Sequence, residues 1–169
     1  APGVLTLSAN ARGDINAESE EGLRVGQLQV STADRAFLHG DPATALRVTI
    51  SESDIASGLT AGKELRLGLP EGFAGRWDEE AAVTIAPAGL LEDVVGYDGN
   101  EAVLTVAADR FEAGSTVTID LVLTDFEGTS APGVLTLSAN ARGDINAESE
   151  EGLRVGQLQV STADRAFLH

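Results

Sequence analysis

Few side chains in this sequence could carry out reaction chemistry. The chain has one lysine, one tryptophan and one tyrosine, Lys63, Trp77 and Tyr97, and it has no cysteine. Its two histidines, His39 and His169, occupy corresponding positions of a repeat, so each repeat unit holds a single imidazole. A Ser-His-Asp triad also needs a positioned nucleophile, and the sequence contains no G-x-S-x-G turn. We therefore predict no catalytic residues and no enzymatic activity.

One acidic segment has oxygen-bearing side chains at alternate positions, Asp144, Asn146 and Glu148. Calcium takes six to eight oxygen ligands, and carboxylates at alternate positions of a loop can converge on it. The EF-hand pattern is incomplete here, because Ser149 stands where Gly is needed and Val155 where a bidentate Glu is needed. The alternative is a strand whose polar side chains face solvent. Calcium is the one cofactor that the sequence suggests.

Composition and charge exclude two classes of partner. The chain has a formal net charge of −16 and a pI of ≈ 4.2, whereas nucleic-acid binding depends on basic side chains that release counterions. No apolar run approaches the roughly 20 residues that a membrane-spanning helix needs. We expect neither a nucleic-acid partner nor a membrane span. Hydrophobic residues make up 43% of the chain, which is enough to build a folded core.

The sequence contains a long internal repeat. Residues 1–39 and 131–169 are identical letter for letter, so the sequence repeats with a period of 130 residues. A period of this length matches a whole domain and is too long for one coil of a solenoid. We interpret residues 40–169 as one complete β-sandwich repeat. Residues 1–39 are then the C-terminal part of a preceding identical repeat, or a segment donated to another molecule.

Alternation of apolar and polar residues with a period of two predicts strands along most of the chain. Leu46, Val48 and Ile50 alternate with polar residues, and the same pattern recurs over 65–69 and 117–123. Turn signals rich in Gly, Pro, Asp and Asn separate these runs. The pattern predicts a tandem-repeated, all-β sandwich of about eight or nine strands per unit.

The segment 46–72, LRVTISESDIASGLTAGKELRLGLPEG, extends this pattern over two strands and a turn. It resembles a recurring repeat of secreted, S-layer-associated surface proteins of Gram-positive bacteria, with the pattern I-T-E-x-x-x-G-x-L-x-x-G-x-x-I-x-L-x-L-P-x-G. Residues 116–160 continue in the same style, beginning with a Thr-Val-Thr-Ile strand. The resemblance implies an extracellular, Ig-like or cohesin-like β-sandwich within a surface array, without catalytic residues.

Two functions are consistent with these features. The first is a structural module of an extracellular filament, stalk or surface layer, which binds identical copies of itself head-to-tail, with strand donation as one route. The second is a calcium-dependent or carbohydrate-binding adhesin domain, in which Trp77 and Tyr97 stack on sugar rings. For assembly, one sandwich needs a single copy of the 39-residue segment, so the copy at residues 1–39 leaves apolar strand residues without a sandwich of their own. The predicted assembly residues are Leu5, Leu7, Ile15, Leu23, Val25, Leu28, Val30, Phe37 and Leu38.

Overall fold

A computed structural model of the chain describes residues 6–7, 17–18, 28–33, 35–52, 59–107, 114–139 and 147–157, and it describes the side chains of all these except 6–7, 17–18 and 151. No helix in these ranges is long and apolar enough to cross a membrane. The strands in these ranges are β1 (Thr6–Leu7), β2 (Ala17–Glu18), β3 (Leu28–Thr32), β4 (Arg35–Leu38), β5 (Thr44–Glu52), β6 (Glu64–Gly68), β7 (Arg76–Trp77), β8 (Thr84–Ala86), β9 (Gly96–Asp98), β10 (Glu101–Thr105), β11 (Thr116–Thr124), β12 (Ser130–Ser138) and β13 (Ala147–Gly156).

Two large sheets account for most of these strands. The first has the order β3-β5-β11-β7, and β8 also pairs with β11. The second has the order β4-β13-β12-β6-β10-β9, and β1 and β2 form a separate two-stranded sheet. All the pairings are antiparallel except that between β4 and β13, which is parallel. Each large sheet therefore has one edge strand from the segment between residues 28 and 38.

The strands β5 and β11 show why alternation produces this fold. They pair over nearly their whole length, with Leu46 opposite Leu121 and Arg47 opposite Asp120. Every second residue of β11 from Val117 onward is buried, and the residues between are partly exposed. Because successive side chains of a strand point to opposite faces, the apolar set lies on one face of the sheet.

The apolar faces of the two large sheets belong to one hydrophobic core. Val48 and Ile119 enter it from the first sheet, and Leu67 and Leu135 enter it from the second. This arrangement confirms the prediction of an all-β sandwich. The described sandwich has eleven strands, β3 to β13, and not eight or nine. β7 and β9 have only two and three residues, too few for alternation to reveal them in the sequence.

The sandwich draws on both copies of the repeated segment. β3 and β4 come from the first copy, whereas β13 and nearly all of β12 come from the second. In the first copy, β1 and β2 pair Thr6 with Glu18, and the corresponding Thr136 and Glu148 pair in β12 and β13. Identical sequences thus form the same antiparallel pairing in both copies. The division predicted between residues 39 and 40 falls inside the described sandwich, and the assignment of 1–39 and 40–169 to successive repeats stays a prediction.

Candidate assembly site

Residues 28–38, which we call the edge segment, supply the edge strand of both large sheets. In the first sheet, β3 pairs antiparallel with β5, with Leu28 opposite Glu52. In the second sheet, β4 pairs in parallel with β13, with Leu38 opposite Gly156. β3 also packs against β13 across the sandwich. One short segment therefore closes the same side of both sheets.

Buried side chains anchor the edge segment to the core. In β3, the residues Leu28, Val30 and Thr32 are buried, and the two residues between them are exposed. The Thr32 hydroxyl donates a hydrogen bond of 2.8 Å to the carbonyl of Arg47 in β5. In β4, the side chain of Phe37 is 2% exposed. The segment thus combines backbone pairing at two sheet edges with three apolar anchors.

Phe37 packs among the aromatic rings at one end of the sandwich. Its ring stacks on that of Phe126, with ring centroids 4.5 Å apart and an angle of 13° between the planes. It meets the ring of Phe73 edge-on at a centroid distance of 6.2 Å. Sequence reasoning did not identify Phe73 or Phe126 as partners. The sequence signal that could have identified them is the scarcity of aromatic residues, which make up 4% of the chain.

A turn after the edge segment is bonded to the ends of both sheets. The His39 backbone N–H donates to the Gly156 carbonyl at 2.8 Å, and the Gly40 N–H donates to the Phe126 carbonyl at 2.9 Å. The Gly128 N–H donates to His39 Nδ1 at 2.9 Å. Gly40 has a φ of 82°, a left-handed conformation that glycine adopts without strain. His39, the single histidine of its repeat unit, therefore makes a structural contact at this turn.

A cleft of ≈ 390 Å³ lies beside the edge segment, along β12 and β13 of the second sheet. Arg35 lines one side of it, and Glu150 and Arg154 of β13 also face it. The Arg35 Nη1 donates to the Ala45 carbonyl at 2.7 Å, and its guanidinium carbon lies 5.7 Å from the centroid of the Phe37 ring. Arg35 therefore lies beside the Phe37 ring and links the edge segment to the start of β5 in the first sheet.

Arginine–carboxylate pairs hold neighbouring strands on the outer faces. Arg47 forms two hydrogen bonds with Asp120, from Nε at 2.7 Å and from Nη2 at 2.8 Å. These bonds hold the pKa of the Asp120 carboxyl below its ordinary value. On the second sheet, Arg66 contacts Asp98 and Glu101 through Nη1, at 3.2 Å and 3.0 Å. Several of the many carboxylates thus act in cross-strand ion pairs.

The structure describes only part of the predicted calcium site. Glu148 lies on β13, opposite Thr136, and its side chain is exposed. Asp144 and Asn146 lie outside the described residues. Among the side chains that the structure describes, no group of three or more His, Cys, Asp or Glu could hold a metal ion. Calcium at the acidic segment stays a prediction.

The predicted assembly residues fall into three groups. Leu28, Val30 and Phe37 are the buried anchors of the edge segment, and Leu38 is 40% exposed beside them. Leu7 lies in β1, where only the backbone is described. The others, which lie outside the described residues, are Leu5, Ile15, Leu23 and Val25. The role of all nine residues in assembly stays a prediction.

The two aromatic residues considered for sugar stacking are not placed as an open platform. Trp77 is 1% exposed, and its indole N–H donates to the Asn100 carbonyl at 3.0 Å. Tyr97 is half-buried, and burial raises the pKa of its hydroxyl above the ordinary value, with a further rise from Asp78 and Glu79. Stacking on a sugar requires an accessible ring face, and Trp77 does not offer one.

No family model matches the chain, and no curated protein matches its sequence. Among solved structures, the chain is similar to a non-cellulosomal cohesin from the archaeon Archaeoglobus fulgidus, with a TM-score of 0.44 and 9% identity over 79% of this chain and 92% of that one. It is similar to the seventh ScaB type I cohesin from Pseudobacteroides cellulosolvens, with a TM-score of 0.40 and 10% identity over 84% and 99% of the two chains. It is also similar to the major pilin subunit of Bacillus cereus, with a TM-score of 0.47 and 14% identity over 88% of this chain and 46% of that one.

Proposed function

We propose that this chain is a structural repeat module of an extracellular filament, stalk or surface layer, which assembles head-to-tail with identical copies of itself. The observation that supports the proposal is the composition of the sandwich. It takes its edge segment from the first copy of the repeated sequence, and β13 and nearly all of β12 from the second copy. The chain therefore carries one further set of the same sequences, which matches the end of a preceding sandwich and the beginning of a following one.

Sheet edges are suited to this kind of assembly. An edge strand leaves a row of N–H and C=O groups available for pairing with another chain. Strand addition combines backbone hydrogen bonds, which supply affinity, with alternating side chains, which supply specificity. A contact between two different ends of the same molecule does not close on itself, so it propagates as a linear assembly. Strand donation is therefore the route that we propose for the head-to-tail contact.

The extracellular location and the absence of catalysis belong to the same proposal. The location rests on the resemblance of segment 46–72 to repeats of secreted surface proteins. Two of the candidate residues make structural hydrogen bonds: His39 Nδ1 accepts one from the Gly128 N–H of a turn, and the Trp77 indole N–H donates one to the Asn100 carbonyl. The formal charge of −16 favours a soluble, extended array, because neighbouring units repel one another except where they make a specific contact.

The adhesin alternative has less support. The burial of Trp77 removes the aromatic surface on which carbohydrate binding was expected to depend. A calcium-dependent form still rests on Asp144, Asn146 and Glu148, and it stays a prediction. The two functions differ in what the isolated protein does, since a structural module binds itself and an adhesin binds another surface.

Negative-stain electron microscopy of the protein at neutral pH tests the proposal. We expect rods one sandwich wide whose length increases with protein concentration, and we expect them both with and without EDTA. Intact mass of the same sample separates rods held by non-covalent contacts from rods made of one long chain. Particles of single-sandwich size at every concentration would contradict the proposal. Rods that disappear with EDTA would favour the calcium-dependent alternative.

A further inference from the structure

We propose, on the basis of the head-to-tail assembly above, that residues 158–168 of one molecule occupy the place of the edge segment in the sandwich of a second copy. The occupant would lie between β5 of one sheet and β13 of the other, which are the partners of residues 28–38 in the described structure. The inference names the donated segment, the site that receives it and the direction of the assembly.

The donated segment matches the receiving site residue by residue. Residues 158–168 have the same sequence as residues 28–38. The three buried anchors of the edge segment therefore have counterparts in Leu158, Val160 and Phe167. A site that binds the first copy through Phe73 and Phe126 has the same shape and chemistry for the second copy. No new complementarity is needed for the exchange.

The direction of β13 prevents residues 158–168 from reaching this site in their own sandwich. Gly156, the last residue of β13, lies at the Thr44 end of β5, because it accepts a hydrogen bond from His39 in the turn that leads to β5. The edge segment begins with Leu28 at the opposite end of β5, opposite Glu52. The two ends of this nine-residue strand are about 27 Å apart at a rise of ~3.4 Å per residue.

The chain is too short to cross that distance. Leu158 follows Gly156 by two residues, which extend by at most about 7 Å. Residue 158 can therefore occupy the position of Leu28 only in another sandwich, as long as β13 remains paired. The receiving sandwich must present its Glu52 end to the Thr44 end of the donor. This polarity is that of a head-to-tail assembly.

The edge segment can also be exchanged without disrupting the interior strand pairings of the sandwich. Among the strands that the structure describes, β3 and β4 each have one neighbour in their own sheet, since both are edge strands. Replacing them leaves the interior pairings β5–β11 and β12–β13 unchanged. Within one molecule, the edge segment competes with the donated segment through its covalent connection to β5, which raises its effective concentration. The exchange should therefore respond strongly to any change that weakens one of the two competitors.

Matched substitutions in the full-length chain test this competition. Phe37→Ala weakens the molecule's own edge segment, and Phe167→Ala makes the same change in the donated segment. We expect sedimentation velocity to show association of the F37A variant at protein concentrations at least tenfold lower than those needed for the F167A variant. The double variant weakens both competitors equally, so it should associate at the same concentrations as the parent protein. If F37A does not fold, Val30→Ala and Val160→Ala provide a milder pair.

Two results would overturn the inference. The first is equal association of the F37A and F167A variants. The second is a double variant that associates as strongly as F37A, because exposure of the core and not exchange of segments would then be the cause. Rods of the parent protein without a difference between the variants would leave the proposed function in place and remove only this inference. A difference between the variants without rods would leave the exchange of segments in place and contradict the proposed filament, stalk or surface layer.

Discussion

Phe37 stacks on Phe126, with the two ring centroids 4.5 Å apart and the ring planes within 13° of parallel. Phe37 belongs to the first copy of the repeated sequence, whereas Phe126 follows β11 in the part of the chain that occurs once. The stack therefore joins a repeated segment to the unique part of the sandwich. With the edge-on contact to Phe73, it gathers three of the five phenylalanines at one end of the core.

Replacement of Phe37 by Ala should lower the free energy of unfolding by about 3–5 kcal/mol, the usual cost of removing a buried Phe side chain. Urea denaturation followed by far-UV circular dichroism measures this change at a protein concentration below that of association. Phe167→Ala is the matched control, because it makes the same change in the same local sequence. Equal destabilisation by the two substitutions would show that the first copy has no privileged place in the sandwich.

The strands with regular alternation could be predicted from the sequence. In the segment from Leu46 to Ile50, every second residue is apolar, and the structure buries those residues in β5. The segment that forms β11 has apolar residues on both of its faces, at Leu121 and Val122, a pattern that favours a central strand, and β11 lies between β5 and β7. Local periodicity contains this information, since burial of one face repeats every two residues.

The place where the chain changes sheets could not be predicted in this way. β3 and β4 are separated by only two residues, yet they join different sheets. The parallel pairing of β4 with β13 connects residues more than a hundred positions apart in the sequence, and alternation says nothing about it. The two copies of the repeated segment are also identical in sequence, so alternation cannot distinguish them. Only the connectivity of the sandwich decides which part of each copy it uses.

Gly133→Ala should destabilise the sandwich through a close contact with Pro70. A Cβ atom at residue 133 would lie 2.5 Å from the Cβ of Pro70, far inside van der Waals contact. Such overpacking costs about 1–3 kcal/mol, and thermal unfolding would show it as a lower melting temperature. Gly3→Ala is the matched control, because residue 3 corresponds to residue 133 in the first copy. A G133A variant with the melting temperature of the parent would contradict the close approach.

The ion pair between Arg47 and Asp120 should contribute to stability at neutral pH and lose its contribution in acid. The hydrogen bond from Arg47 lowers the pKa of Asp120 in the folded state. A carboxyl whose pKa is lower in the folded state than in the unfolded state stabilises the fold above its unfolded pKa, and that stability is lost as the pH falls through the folded value. Asp120→Asn should therefore reduce the loss of stability below about pH 4.

The size of this effect should be small, because exposed ion pairs contribute little in water. The measurement is the free energy of unfolding of parent and variant from pH 7 down to the acid limit of the fold. Glu71→Gln, a change at an exposed carboxylate, should leave the shape of the pH profile unchanged. If Asp120→Asn and Glu71→Gln give the same profile, the cross-strand pair has no role in acid sensitivity.

Calcium should raise the melting temperature more than sodium at equal ionic strength if the acidic segment binds it. A ligand that binds only the folded state stabilises it by mass action, whereas screening of the net charge of −16 depends on ionic strength alone. Asp144→Asn combined with Glu148→Gln should reduce the calcium-specific rise. Glu79→Gln combined with Glu80→Gln removes the same charge elsewhere and should preserve it. Equal effects of the two salts on the parent protein would leave only screening.

Two fragments of equal composition should differ in their state of association. Residues 28–157 contain every strand of both large sheets, and residues 40–169 contain the same amino acids in a cyclically permuted order, because 28–39 and 158–169 are identical. The first fragment has its edge segment before β5 and should be a monomer. The second fragment has the same sequence after β13. β13 ends at the Thr44 end of β5, whereas Leu28 pairs at the Glu52 end.

The fragment 40–169 should therefore satisfy its sheet edges only by inserting its last residues into another molecule. We expect size-exclusion chromatography with light scattering to show a ladder of oligomers for this fragment and a single monomer peak for 28–157. Adding a synthetic peptide with the sequence of residues 28–39 should fill the open site and convert the oligomers into monomers. A fragment 40–169 that is folded and monomeric without the peptide would mean that its own terminal segment reaches the site. The direction assigned to β13 at the Thr44 end would then be wrong.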